Sequence, residues 1–164
     1  MPDVPIRQWV LTLPHRIRYL LAWRHDPCKV VVRVLLREVQ RHLRTRARER
    51  GLGEVRGGAV AIVQRFGGAL NLNVHSHALV LDGVFARGDD GRSQFHAAPA
   101  LDSADVADVL AAVTPGVQRL LARQAGSAVA EGTRSPGYCG WRPGAVGQVV
   151  PQPMDQVARL LVLG

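Results

Sequence analysis

His75 and His77 flank a single residue in the run Asn71-Leu72-Asn73-Val74-His75-Ser76-His77-Ala78-Leu79-Val80-Leu81-Asp82. On an extended strand the side chains at i and i+2 leave by the same face, so both imidazoles aim at one locus. Two histidines so placed can hold one divalent metal; they can equally be hydrogen-bonded residues of a core. The surrounding alternation favours the metal. Leu72, Val74, Ala78 and Val80 share one face, whereas Asn71, Asn73, His75 and His77 share the other before Leu79 and Leu81 resume. Gln64, on the preceding apolar run, is the candidate third ligand. Imidazole nitrogens with one carboxamide oxygen leave coordination positions open, which a metal needs in order to take a phosphate oxygen. His15, His25, His42 and His96 have no partner at ligand spacing and read as surface or packing residues.

These residues need a frame. Gln8 to Leu13, stopped by Pro14, predicts a short strand, and Arg16 to Trp23 a helix. Asp26-Pro27 supplies a cap and a first-turn proline for a second helix, which Gly51 and Gly53 end. Val32, Leu35, Leu36, Val39 and Leu43 fall at helical intervals along it, while Arg33, Arg37, Arg41, Arg44 and Arg48 repeat on another face. Ala59 to Phe66 and the histidine run, joined through Gly67-Gly68, predict an antiparallel hairpin with the histidine strand central and extending to Val84. Ser93 to Ala97 reads as a returning strand. Asp102-Ser103 caps a helix that Pro115 should kink or break. Gly132 to Gly144 is crowded with breakers, and Asp155 to Leu163 reads as a short helix or strand. The expected fold class is α+β, a central antiparallel sheet with helices packed on its apolar face. The expected division is a core of residues 1–125 and a Gly/Pro-rich tail of residues 126–164.

The composition limits what the site could serve. The chain has 164 residues, 47% hydrophobic, with a net charge of +8 carried almost wholly by arginine, since Lys29 is its lone lysine. Arginine forks match phosphate geometry and a basic field attracts polyanions, so nucleic acid is the first partner to consider. The arginine stripe is the candidate backbone contact, its alternative being a solvated helix face partly neutralised by Glu38 and Glu49. Cys28 and Cys139 lie far apart without metal-ligand spacing, and no apolar run reaches membrane-spanning length; a reducing, cytoplasmic setting is expected.

The succession Val63-Gln64-Arg65-Phe66-Gly67-Gly68, Asn73-Val74-His75-Ser76-His77 and Leu79-Val80-Leu81-Asp82-Gly83-Val84-Phe85 resembles the HUH endonuclease domain of rolling-circle, two-tyrosine insertion-sequence transposases. Arg7 to Ala22 looks like the opening of that family's domain, so the resemblance covers roughly residues 5 to 125. The family motif has a bulky hydrophobic residue between its histidines. Ser76 stands there, on the strand face away from the imidazoles.

The resemblance implies a sheet of HUH type that nicks and transfers single-stranded transposon DNA, nucleoid-associated in a bacterial cell when bound. His75 and His77, with Gln64, would hold Mg or Mn; Arg33, Arg37, Arg41, Arg44, Arg48 and Arg65 would contact DNA. A tyrosine would attack the scissile phosphate, leaving a 5′-phosphotyrosine and a free 3′-hydroxyl. The family's nucleophile lies on a helix well after the histidines. This chain offers only Tyr19 and Tyr138, and of these Tyr138 is the candidate. A truncated, non-catalytic DNA-binding remnant is the alternative, and a metal-dependent enzyme of small phosphorylated substrates is a third reading.

Overall fold

A computed structural model describes residues 4–23, 25–67, 72–88, 90–130 and 159–163. The first strand, β1 (Ile6–Thr12), ends where Pro14 removes a donor and begins the turn into α1 (His15–Trp23). The second helix, α2 (His25–Glu49), starts slightly earlier than its proline suggests, which puts Asp26 inside the first turn rather than at the cap. It stops at Gly51, whose φ of 81° lies in the left-handed region. Gly51 N donates to Arg48 O and Leu52 N to Ala47 O, the paired bonds that close a glycine-terminated helix.

The short β2 (Val55–Arg56) leads into β3 (Ala59–Phe66), which turns back as β4 (Leu72–Leu81). The expected hairpin is antiparallel, with Ile62 opposite His77 and Gln64 opposite His75. β4 does not run on to Val84. It ends at Leu81, and β5 (Gly83–Arg87) enters a second sheet with β2 and β6 (Ser93–Ala97). The apolar run hides this break because both pieces are strand. Gly83 permits the second pairing: a Cβ there would lie 2.3 Å from the carbonyl oxygen of His96.

Asp102 caps α3 (Ser103–Ala130): its side chain accepts from Asp105 N at 2.8 Å while the Asp105 carboxylate accepts from Asp102 N at 3.1 Å. The helix is continuous through Pro115, contrary to the expected break. Thr114 Oγ1 donates to the Leu110 carbonyl at 2.8 Å, a back-bond that bends helices rather than straightening them, so packing is what opposes the proline. Gly116 sits so close to α2 that a Cβ would meet Val34 Cγ1 at 2.7 Å, and Val113 and Val117 beside it are fully buried. Packing thus holds what propensity would break. The residue 125 boundary falls inside this helix, and the last strand, β7 (Arg159–Leu163), pairs antiparallel with β1.

The main sheet has the order β3-β4-β1-β7. Trp9, Leu11, Val74, Ala78 and Val80 line its buried face against Val31, Leu35 and Val39 of α2 and Val109, Val113 and Val117 of α3. Ser76 lies in this buried row, as the alternation requires. The other face is uncovered among the described residues: Val60 is 64% exposed, Ile62 58% and Leu161 57%. The architecture is mixed α+β with antiparallel sheets.

Candidate functional site

The uncovered face carries the histidines. Because β4 is flanked on both sides, each imidazole has a cross-strand neighbour on either hand: Ile62 and Val10 beside His77, Gln64 and Thr12 beside His75. The rings meet edge to face, centroids 4.7 Å apart and planes at 61°. His75 Nδ1 donates to the carbonyl of Asn73 at 2.6 Å, which leaves the lone pair of the neutral ring on Nε2. This is the tautomer a metal-ligating histidine normally takes, oriented by a carbonyl behind it. Asn73 is held in turn by Arg18 of α1, whose guanidinium bonds both the Asn73 side-chain oxygen and the Leu13 carbonyl.

His77 is oriented by Gln8, whose amide lies 2.6 Å from Nδ1. The amide can present nitrogen or oxygen at that point. With its oxygen inward it accepts the Nδ1 proton and frees Nε2 as a lone-pair donor; with its nitrogen inward the proton sits on Nε2. His77 Nε2 is buried and has no hydrogen-bond partner. A buried ring nitrogen without a partner is uncommon, and in the Nδ1-protonated tautomer its lone pair is one that a metal could take. Burial, and then the neighbouring charge of His75, pushes the His77 imidazole below its ordinary value of 6.5, favouring the neutral form a ligand must have.

Gln64 lies directly opposite His75, and its amide nitrogen donates to Phe66 O at 3.0 Å, leaving the amide oxygen as the atom available to an ion. Neutral nitrogens with one amide oxygen suit a hard divalent cation only in part, since no carboxylate contributes. No cluster of three His, Cys, Asp or Glu residues with metal-binding geometry occurs among the described residues.

The predicted arginines do not gather at this site. On α2 the buried row faces the sheet, so Arg33, Arg37, Arg41 and Arg48 are exposed on the opposite side of the helix, with Arg44 half-buried among them and bonded to Gln40 O. The stripe and the histidines therefore belong to opposite surfaces. Glu38, 7% exposed, sits between Arg37 and Arg41 and accepts from both. Burial pushes its carboxyl upward, but the hydrogen bonds and charges of Arg37 and Arg41 outweigh this and hold it below its ordinary value. Arg65 points to the helix side of β3 and donates to Ala22 O at 2.8 Å. Tyr138 lies outside the described residues, as does the side chain of Tyr19. Gln8, Arg18 and Asn73 escaped the sequence reading as supports of the histidines; the polar alternation of Gln8 and Thr12 about Val10 was the available signal.

Comparison with known proteins adds one finding. Residues 58–137 match the family described as putative transposase. The matched stretch of this transposase family holds β3, both histidines of β4, the second sheet's hairpin and α3, and leaves β1, α1, α2 and β7 outside it. No curated protein and no solved structure matches the chain.

Proposed function

We propose that the chain is a transposase domain of HUH type, in which His75 and His77, with Gln64, hold Mg or Mn against a phosphate of single-stranded transposon DNA. The observation that carries this is the buried, unpartnered Nε2 of His77 beside a His75 ring turned to the ligating tautomer. The transposase match across the same strand supports it. A divalent ion bound there would supply Lewis-acid polarisation of a phosphate oxygen. The chain's own residues do the rest: Asn73 and Gln8 fix the rings, and Val10, Ile62 and Leu79 are their apolar neighbours on the same face of the sheet. Tyr138 is the proposed nucleophile. Its phenolic oxygen forms the bond to phosphorus as the bond from phosphorus to the 3′-oxygen breaks and that oxygen takes up a proton, so the phosphodiester energy is kept for rejoining.

A second reading, a DNA-binding remnant without nicking activity, is favoured by α3, the long helix after the histidines, which contains no tyrosine. Incubating the full chain with a labelled single-stranded oligonucleotide and Mn separates the two. A covalent protein and DNA adduct that is lost in Tyr138→Phe supports the nicking enzyme; binding without an adduct supports the remnant. Unchanged Mn affinity in the His75→Ala, His77→Ala double variant would remove the metal assignment.

A further inference from the structure

The edge strand β3 is covered less completely than the strands inside the sheet. Val74, Ala78 and Val80 of β4 are buried under the helices, but Ala61 and Val63, which face the same way, are only half-buried. α2 leaves that margin open, and a cleft of about 300 Å³ lies between them. Its floor is Val32, Ala61 and Val63, and its rim is Lys29, Arg33 and Arg65. The volume is at the lower end for small-ligand sites. Lys29 opens the second turn of α2 and Arg33 the third, so both reach the cleft from the amino-terminal half of the helix. Lys29 also pairs with exposed Asp26 at 3.2 Å, which offsets part of it. The Cys28 thiol closes the inner wall by donating to Leu21 O at 3.0 Å, and burial keeps it protonated.

Three cations, of which Lys29 also pairs with Asp26 and Arg65 also donates to Ala22 O, surround an apolar floor, a combination that suits an anion carrying a flat apolar body. Arg33 is also the first residue of the arginine stripe, which repeats at about one helical turn through Arg37, Arg41 and Arg44 to Arg48. The cleft is thus the end of a basic track, and the track suits a polyanion more than an isolated metabolite.

We propose that the cleft between α2 and the margin of β3 binds one nucleotide of single-stranded DNA, its phosphate held by Lys29, Arg33 and Arg65 and its base laid on Val32, Ala61 and Val63. The strand then follows the α2 arginines. This deepens the transposase reading and rests on it for the identity of the polymer, but it needs neither the histidines nor a metal. It gives the chain a DNA contact on the surface opposite the histidine face, so the two surfaces engage separate segments.

The test is equilibrium anisotropy of a short fluorescent oligothymidine with the full chain, without divalent ions and across a salt series. The Lys29→Glu, Arg33→Glu double variant should bind about tenfold more weakly or worse, with the salt slope shallower by roughly 0.7 for each phosphate it no longer neutralises. Arg87→Glu with Arg92→Glu, the same change of charge on the second sheet's hairpin, should have the smaller effect. Ala61→Leu, which fills the floor without touching charge, should weaken binding several-fold while circular dichroism shows the fold retained. Mn titration of the His75→Ala, His77→Ala double variant reads the metal assignment separately. Equal losses from the two charge reversals, no effect of filling the floor, or displacement of the oligonucleotide by polyglutamate at matched charge would each overturn the proposal, the last by making an acidic peptide the occupant.

Discussion

Gln8 of β1 and His77 of β4 are hydrogen-bonded across the strand pair, 2.6 Å apart, although their backbones are not directly opposite. The diagonal contact fixes the ring plane of a histidine whose other nitrogen is buried without a partner. Replacing Gln8 with Leu should leave the fold intact and lower Mn affinity about tenfold to a hundredfold, the usual effect of removing a partner behind a ligating histidine. Calorimetric titration reads this directly. An affinity equal to that of the original chain would mean that His77 needs no orientation or binds no metal.

His77 also sets a pH dependence. Its folded value lies below the ordinary 6.5, so between the two the unfolded chain binds the proton and the folded chain does not. Stability is therefore full above about 6.5 and declines as pH falls through that window. Urea melts without divalent ions should show this slope, and His77→Gln should flatten it.

Glu38 acts in a lower range. Its folded value is held below 4.5 by Arg37 and Arg41, so its contribution is present above 4.5 and is lost as pH falls through the folded value. In Glu38→Gln the acid limb of the stability curve should become shallower. Both arginines are more than half exposed, which screens the pair and keeps its contribution small.

Asp105 joins the start of α3 to α2. It completes the reciprocal cap with Asp102, accepts from Arg46 at 3.0 Å, and lies 3.3 Å from His42 Nε2, all while 4% exposed. Asp105→Ala should cost about 2 kcal/mol, because it removes a cap and also the carboxylate that Arg46, 38% exposed, bonds from α2. Asp102→Ala, which removes the cap alone, should cost about 1 kcal/mol. Equal costs in chemical denaturation would show that the α2 contacts contribute nothing.

Gly116 of α3 packs directly on Val34 of α2. Gly116→Ala should destabilise by about 1 to 3 kcal/mol through overpacking, despite alanine's better helix propensity. Adding Val34→Ala should recover part of that loss, and a double-mutant cycle measures the coupling.

What the sequence made legible was the local periodicity. The alternation through Val74, Ser76, Ala78 and Val80 identified the buried row of β4, and the helical spacing of Val32 to Leu43 separated the core row of α2 from its arginines. Boundaries decided by distant contacts were not legible. The apolar run through Leu81, Asp82, Gly83 and Val84 has no break in character, since each half is strand in a different sheet. Pro115 argued for a break that burial of Val113 and Val117 overrides. The candidate histidines could be named from spacing, but their supports required Gln8 and Arg18 to arrive from elsewhere in the chain. That the arginines lie behind the sheet followed only from which side of it the helices cover.

Asp82, between β4 and β5, gives its N–H to Pro5 O just before β1 of the main sheet and takes Ala98 N at the end of the second, while its carboxylate holds Arg7 at 2.9 Å. One residue is thus shared by both sheets, and neither can release it alone. Amide hydrogens of the second sheet's hairpin, which would fray early if it hung free, should exchange with the protection of the histidine strand itself, as parts of one cooperative unit.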